Sequence, residues 1–214
     1  MERYATRVPT ASNPPLREAR AALTRNRIAE AARDAFLADG YLGTSMTAIA
    51  TGAGVSVQTI YNVVGNKAAV LSAVLDVVAA GPDAPTPVRA FMDERSRATR
   101  TLPELMDLLA SWFAEVHPRS ADIFHVIRQA AVVDPEVAEL EQARASQRLT
   151  NYTLAAGHVR ARGGLTSGLS DDEAAAVIWS IGHPDVYRFF TRSQGWGLDR
   201  YRAWLTTSLS AALR

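Results

Sequence analysis

The sequence predicts an all-α protein: an N-terminal three-helix unit containing a helix-turn-helix, followed by a larger helical domain. Three observations predict it. Apolar residues recur at three- and four-residue spacing through most of the 214 positions, and no segment alternates at the period of two that a strand requires. Hydroxyl caps and glycines divide residues 24–76 into short helices joined by tight turns. Beyond a stretch rich in proline and glycine at 81–87, Pro103, Pro118 and Pro135 fall near the starts of further helical segments, where proline is tolerated.

Composition excludes several classes. Hydrophobic residues make up 48% and charged residues 21%, an ordinary globular balance with no apolar run long enough to cross a bilayer. The first residues have no apolar core of a secretory signal, so a cytoplasmic location is expected. With no cysteine, disulfides, thiolate metal sites and cysteine nucleophiles are excluded. His117, His125, His158 and His183 lack metal-ligand spacing, and no cofactor is implied. The formal net charge is +1, and residues 1–76 are only slightly basic, so any nucleic-acid binding must rest on placed contacts rather than a broad positive field. Lys67 is the single lysine of the chain.

Taken in order, residues 1–20 read as an arm with Pro9, Pro14, Pro15 and four arginines (Arg3, Arg7, Arg17, Arg20). Such an arm either touches DNA or is simply solvated. A first helix is expected from Thr24, its cap, with Ile28, Ala31, Ala32, Ala35 and Phe36 on one face and Gly40 as its stop. Ser45 caps a second helix, Met46 to about Ala53, and Gly54 ends it. Ser56 caps a third, Val57 to about Val63, before Gly65 and Asn66 turn the chain into a fourth that begins near Lys67. The expected division is an arm (1–20), a helix-turn-helix unit (21–80, motif about 45–67) and a helical domain (88–214). Later helices are predicted over 88–100, 103–116, 119–131, 135–161, 171–192 and 199–213, with a kink where Pro184 follows His183.

The second and third helices with their glycine turn form the helix-turn-helix pattern, in which one helix fixes the angle of the next and leaves its outer face free for the major groove. The segment from Thr44 to Lys67 goes further. It runs through Ile49-Ala50, Ala53-Gly54-Val55-Ser56 and Thr59-Ile60-Tyr61 to the closing lysine, and it resembles the TetR family signature. Phe36 to Tyr41 is similar to the end of that family's first helix. The resemblance covers about residues 24–76 and implies a DNA-binding transcriptional regulator acting as a homodimer on a palindromic operator, most often a ligand-released repressor. Carried over residue by residue, it implies that Ser45 caps the second helix near a phosphate and that Thr47 reaches a base or phosphate. Val57, Gln58 and Asn62 would face base edges, and Thr59, Tyr61 and Lys67 would contact phosphates. One departure is Val63-Val64, where the family usually has an aromatic residue or histidine followed by phenylalanine. Val63 donates no hydrogen bond to a phosphate.

The same resemblance implies that the C-terminal region holds an effector cavity and the dimer interface. A largely apolar small molecule would meet Trp112, Phe113, Phe124, His125, Tyr152, Trp179 and His183, for each of which ordinary core packing is the alternative. The dimer would pair segments 171–192 and 199–213, with Ala174, Val177, Ile178, Ile181 and Val186 on the first and Tyr201, Trp204, Leu205 and Leu209 on the second. Two other readings stay open. One is a helical adaptor that has lost specific DNA binding. The other is an all-helical enzyme, for which no catalytic motif stands out.

Overall fold

The computed structural model describes residues 14–81 and 88–214, and among these all regular structure is helical. The helices are α1 (Pro14–Gly43), α2 (Met46–Ala53), α3 (Val57–Val63), α4 (Lys67–Ala80), α5 (Val88–Ala98), α6 (Leu102–Ala131), α7 (Pro135–Arg160), α8 (Asp171–Ile181), α9 (Pro184–Arg188) and α10 (Leu198–Ala212). A π-helical turn, Phe189–Ser193, joins α9 to the loop before α10. Arg3, Arg7 and most of the predicted junction at 81–87 lie outside the described residues.

Short-range signals set the first four helices. Ser45 and Ser56 accept from the backbone amides of Ala48 and Thr59, and Asn66 accepts from Ala69, so each helix start has a side-chain cap. Gly54 is left-handed (φ 63°), and this reverses the chain between α2 and α3. At Gly40 (φ 68°, ψ 177°) the expected stop is a kink, after which α1 continues to Gly43. The start of α1 differs from expectation. The helix begins at Pro14, and Thr24 does not cap it; its hydroxyl donates to the carbonyl of Arg20, one turn back inside the helix.

Two further boundaries differ. Segments 103–116 and 119–131 are one continuous helix, α6, with Pro118 inside it. Proline removes one backbone bond, yet the buried stripe Leu105, Leu109, Phe113, Val116, Ser120, Ile123, Ile127 and Ala130 runs unbroken past it. Packing along the whole stripe outweighs the local loss. Segment 171–192 breaks where Pro184 predicts, and His183 becomes the N-cap of α9.

Two apolar cores result. The first joins α1–α4 to the far end of α6 (Ile123, Val126, Ile127, Ala130) and to Val137 at the start of α7. The second gathers α6, α7, α8 and α10 around Phe113, Ile178, Tyr201, Leu205 and Leu209. The N-terminal unit therefore shares its core with the body, and α6 runs through both.

A candidate DNA-binding surface and effector cavity

On α3 the outward edge is polar. Gln58 and Asn62 are exposed one turn apart, and Gln58 Nε2 donates to Asn62 Oδ1 at 3.0 Å. That bond orients both amides and leaves Gln58 Oε1 and the Asn62 amino group directed to solvent. Tyr61 is exposed, and the Thr59 hydroxyl lies 2.8 Å from Ser56 Oγ. Ser45 and Thr47 are exposed at the start of α2. Val57 differs from its neighbours: it is half-buried against the first core, so its side chain is turned partly away from a groove-facing edge. Val63 and Val64 are likewise half-buried and fill that core.

Lys67 opens α4 but folds back. Its ammonium lies 4.3 Å from the Tyr41 ring centroid. Partial burial lowers its pKa, opposed by the charge of Asp134. The Tyr41 hydroxyl donates to Asp134 Oδ2 at 2.7 Å, and Asn66 Nδ2 donates to Glu136 Oε2 at 2.6 Å. The acidic start of α7 thus holds the corner between α1 and α4. Tyr41 titrates above its ordinary range, chiefly through burial and then through this bond.

A cavity of about 440 Å³ lies between the end of α4 and helices α5, α6 and α7, closed at one side by Pro184. Its size is that of a small-molecule site, roughly 300–1,000 Å³. Trp112, Phe113, Phe124 and Tyr152 line it. Trp179 and His183 border a smaller adjoining hollow of about 260 Å³, which shares Phe124, Arg144 and Arg148 with the first. His125 lines neither.

Sequence reasoning missed the charged and imidazole groups of this site: Arg89, His117, Arg144, Arg148, His158 and the Asp76 and Asp93 carboxylates. A signal existed, since Arg144, Arg148, Tyr152 and Ala155 follow one another at helical spacing and share a face of α7. Arg144 is paired with Asp76 at 2.6 Å and donates to Ser72 Oγ at 2.8 Å. His158 Nε2 lies 2.9 Å from Asp93, which also pairs with Arg97 at 2.7 Å. The hydrogen bond from His158 is the main reason the Asp93 carboxyl sits below its usual range.

His117 lies on the inner wall, stacked on Phe113 with centroids 5.4 Å apart and with Nδ1 3.1 Å from the Tyr201 hydroxyl. Burial, then the positive charge of Arg148 and then His183, pushes its pKa down to about 3. An ordinary histidine titrates near 6.5, so the folded protein holds His117 neutral while the unfolded chain takes up a proton below that value. Its contribution to stability is complete above about pH 6.5 and is lost as the pH falls toward 3. At pH 5 the loss is on the order of 2 kcal/mol. Urea unfolding at pH 7.5 and pH 5 should show this decline, and His117→Gln should reduce it to the part contributed by His183, which burial also holds low, at about 4. An equal decline in both proteins would remove His117 as its source.

The residues proposed for dimerisation fall differently. Ala174, Ile178, Tyr201, Leu205 and Leu209 are consumed in the second core of their own chain. Val177, Ile181, Val186 and Trp204 remain half-exposed, so only part of the expected seam is free for a partner.

A capped, glycine-turned pair of short helices with a polar outer edge, set on a helical body with its own cavity, defines a helix-turn-helix unit joined to a helical domain. Residues 28–74 match the family described as bacterial regulatory proteins, tetR family. These residues therefore carry a DNA-binding domain of the kind that family model describes. Its fold is shared along almost its whole length with solved structures. NalD, the secondary repressor of the MexAB-OprM multidrug efflux pump in Pseudomonas aeruginosa, is 20% identical with a TM-score of 0.71, covering 91% of this chain and 98% of NalD. SmeT in complex with triclosan is 21% identical (TM-score 0.70; 89% and 91% covered). FadR from Bacillus subtilis in complex with stearoyl-CoA is 19% identical (TM-score 0.68; 86% and 96% covered). A comparison with curated proteins finds no match. No single helix among the described residues is long and apolar enough to cross a membrane.

Proposed function

We propose that the chain is a cytoplasmic, ligand-released repressor that binds a palindromic operator as a homodimer and has no catalytic role. One observation carries this reading. Helix α4, which opens with Lys67 directly after the recognition helix, supplies Leu75, Asp76, Ala79 and Ala80 to the cavity wall. A molecule filling the cavity and a duplex against α3 therefore act on the two ends of one helix. A ligand that fits better with α4 displaced shifts the population away from the spacing that fits the operator. NalD is itself a repressor, and SmeT and FadR are seen with bound small molecules, which supports the reading.

In this reading Gln58 and Asn62 read base edges, with Val57 in a lesser role. Ser45, Thr47, Thr59 and Tyr61 set register on the backbone, and Lys67 swings from the Tyr41 ring to a phosphate. The test is fluorescence anisotropy with duplexes from the DNA flanking the protein's own coding sequence, at two salt concentrations. Lys67→Ala should weaken all sequences alike and lower the salt slope by about one. Gln58→Ala should relax preference at one position by roughly 1–3 kcal/mol. Absence of specific, salt-sensitive binding to any fragment would favour the adaptor reading instead.

A further inference from the structure

We propose that the effector is an amphiphilic monoanion whose carboxylate pairs with Arg148 at the junction of the two hollows. The inference rests on the sensing role above and names the chemistry of the sensed molecule.

Arg148 projects from the cavity face of α7 between two aromatic rings. Its guanidinium carbon lies 4.4 Å from the Phe124 centroid and 4.3 Å from that of Trp179. Two rings this close shield the guanidinium from water without accepting hydrogen bonds in the plane of its N–H groups. Arg148 Nε is buried and has no hydrogen-bond partner among the described residues. Among the described residues its guanidinium forms no ion pair, and the acids around it are engaged elsewhere. Glu141 and Asp185 pair with Arg128, and Asp76 pairs with Arg144. Arg144 is the other arginine bordering both hollows, and it is already neutralised.

A partly buried cation without a counterion is unusual, because removing a charge from water is costly unless a partner replaces the lost hydration. Here the guanidinium lacks an acceptor for its Nε–H and, among the described residues, a negative charge beside it. A carboxylate matches the guanidinium fork with two parallel hydrogen bonds, and a single charge leaves nothing over. The rest of the cavity specifies the other end of the ligand. From Arg148 the cavity follows α7 past Tyr152 and Ala155 to His158, ten residues or roughly 15 Å of helix rise, along a wall that includes Leu109, Phe113 and Met92. An elongated apolar body with a terminal carboxylate fits both features.

The test uses matched pairs: decanoate with decanamide, and 2-naphthoate with 2-naphthamide, with decyl phosphate as a dianionic comparison. Each is titrated below its micelle concentration against the full chain, reading thermal shift and tryptophan fluorescence. We expect each acid to bind roughly 10- to 100-fold more tightly than its amide. Arg148→Met and Arg148→Gln should abolish the preference for acid over amide. Arg148→Met should fold at least as stably as the parent without ligand, since it removes an unpaired charge. Equal binding of acid and amide by the parent, or an acid preference that survives both substitutions, overturns the inference. Tighter binding of decyl phosphate than of decanoate overturns its monocarboxylate part. Loss of self-association on Arg148→Met with unchanged ligand preference assigns the guanidinium to a subunit contact instead. Operator release separates the two levels. Amides that bind and release operator, with no preference for acids, leave the repressor reading standing and remove only this inference. Absence of binding by either series removes this inference, and failure of every compound to alter operator binding then counts against sensing itself.

Discussion

Gly182→Ala is expected to destabilise the protein by about 3 kcal/mol, the upper part of the range for forcing extra atoms into a packed core. Gly182 follows α8 and precedes the His183 cap of α9, with its amide donating to Ile178 at 2.8 Å. Its φ of −90° suits any residue, so backbone conformation is not the obstacle. The obstacle is Phe113. A Cβ at position 182 would stand 2.3 Å from Phe113 Cζ and 2.6 Å from Cε2, which are impossible contacts. The ring can give way only towards the cavity it lines. It is 1% exposed, stacked on His117 and set edge-on to Tyr152 at 5.9 Å. For a chain of this size the melting temperature should fall by roughly 6–12 °C. Phe113→Leu alone should cost about 1–2 kcal/mol by leaving a void. Combined with Gly182→Ala it should cost clearly less than the sum, because the smaller side chain vacates the space the new methyl needs. Strict additivity in denaturant melts would show that the methyl is accommodated by moving α8 rather than by pressing on Phe113.

The same contact shows why the sequence is legible in some places and silent in others. The helix-turn-helix could be read residue by residue because its determinants act over three or four positions. Ser45 reaches Ala48, Ser56 reaches Thr59, Asn66 reaches Ala69, and Gly54 turns the chain by itself. Pro184 signalled a real break for the same reason. Pro118 misled, because a local cost was set against burial spread along thirty residues of α6. Thr24 misled because a hydroxyl inside a helix bonds one turn back as readily as it caps a start. The aromatic members of the cavity were foreseeable as large apolar residues at helical spacing. The pairing of its charges was not, since nothing near Arg148 in sequence reveals that Glu141 is engaged by Arg128 or that Asp76 is engaged by Arg144. The apolar residues of α8 and α10 illustrate the converse. Periodicity marks a buried face, and it does not say whether the chain's own core or a partner buries it.

Asp134→Ala is expected to cost about 2 kcal/mol and to loosen the link between the DNA-binding unit and the body. Two separate losses make up that figure. Asp134 caps α7, accepting from the amides of Glu136 and Val137, and removal of such a cap typically costs about 1 kcal/mol. It also accepts the Tyr41 hydroxyl at 2.7 Å, and a net hydrogen bond of this kind contributes about 1 kcal/mol more. The second loss is the functional one. Tyr41 packs on Phe36 of the first core, with ring centroids 5.7 Å apart, and carries Lys67 on its face. Its bond to Asp134 therefore fixes the α1–α4 corner against the α6–α7 corner, 93 positions away in sequence. Glu136 holds Asn66, the cap of α4, in the same way. Tyr41→Phe removes only the cross-domain bond and leaves the α7 cap intact. In a double-mutant cycle the two substitutions should show a coupling of about 1 kcal/mol, while the cap term stays with Asp134 alone. Operator affinity should fall in both variants, because α3 is then presented in a wider range of orientations and the bound one is a smaller fraction of the ensemble. If the cycle is additive and operator affinity is unchanged in Tyr41→Phe, the corner contact has no part in holding α3, and α4 alone must position the DNA-binding surface.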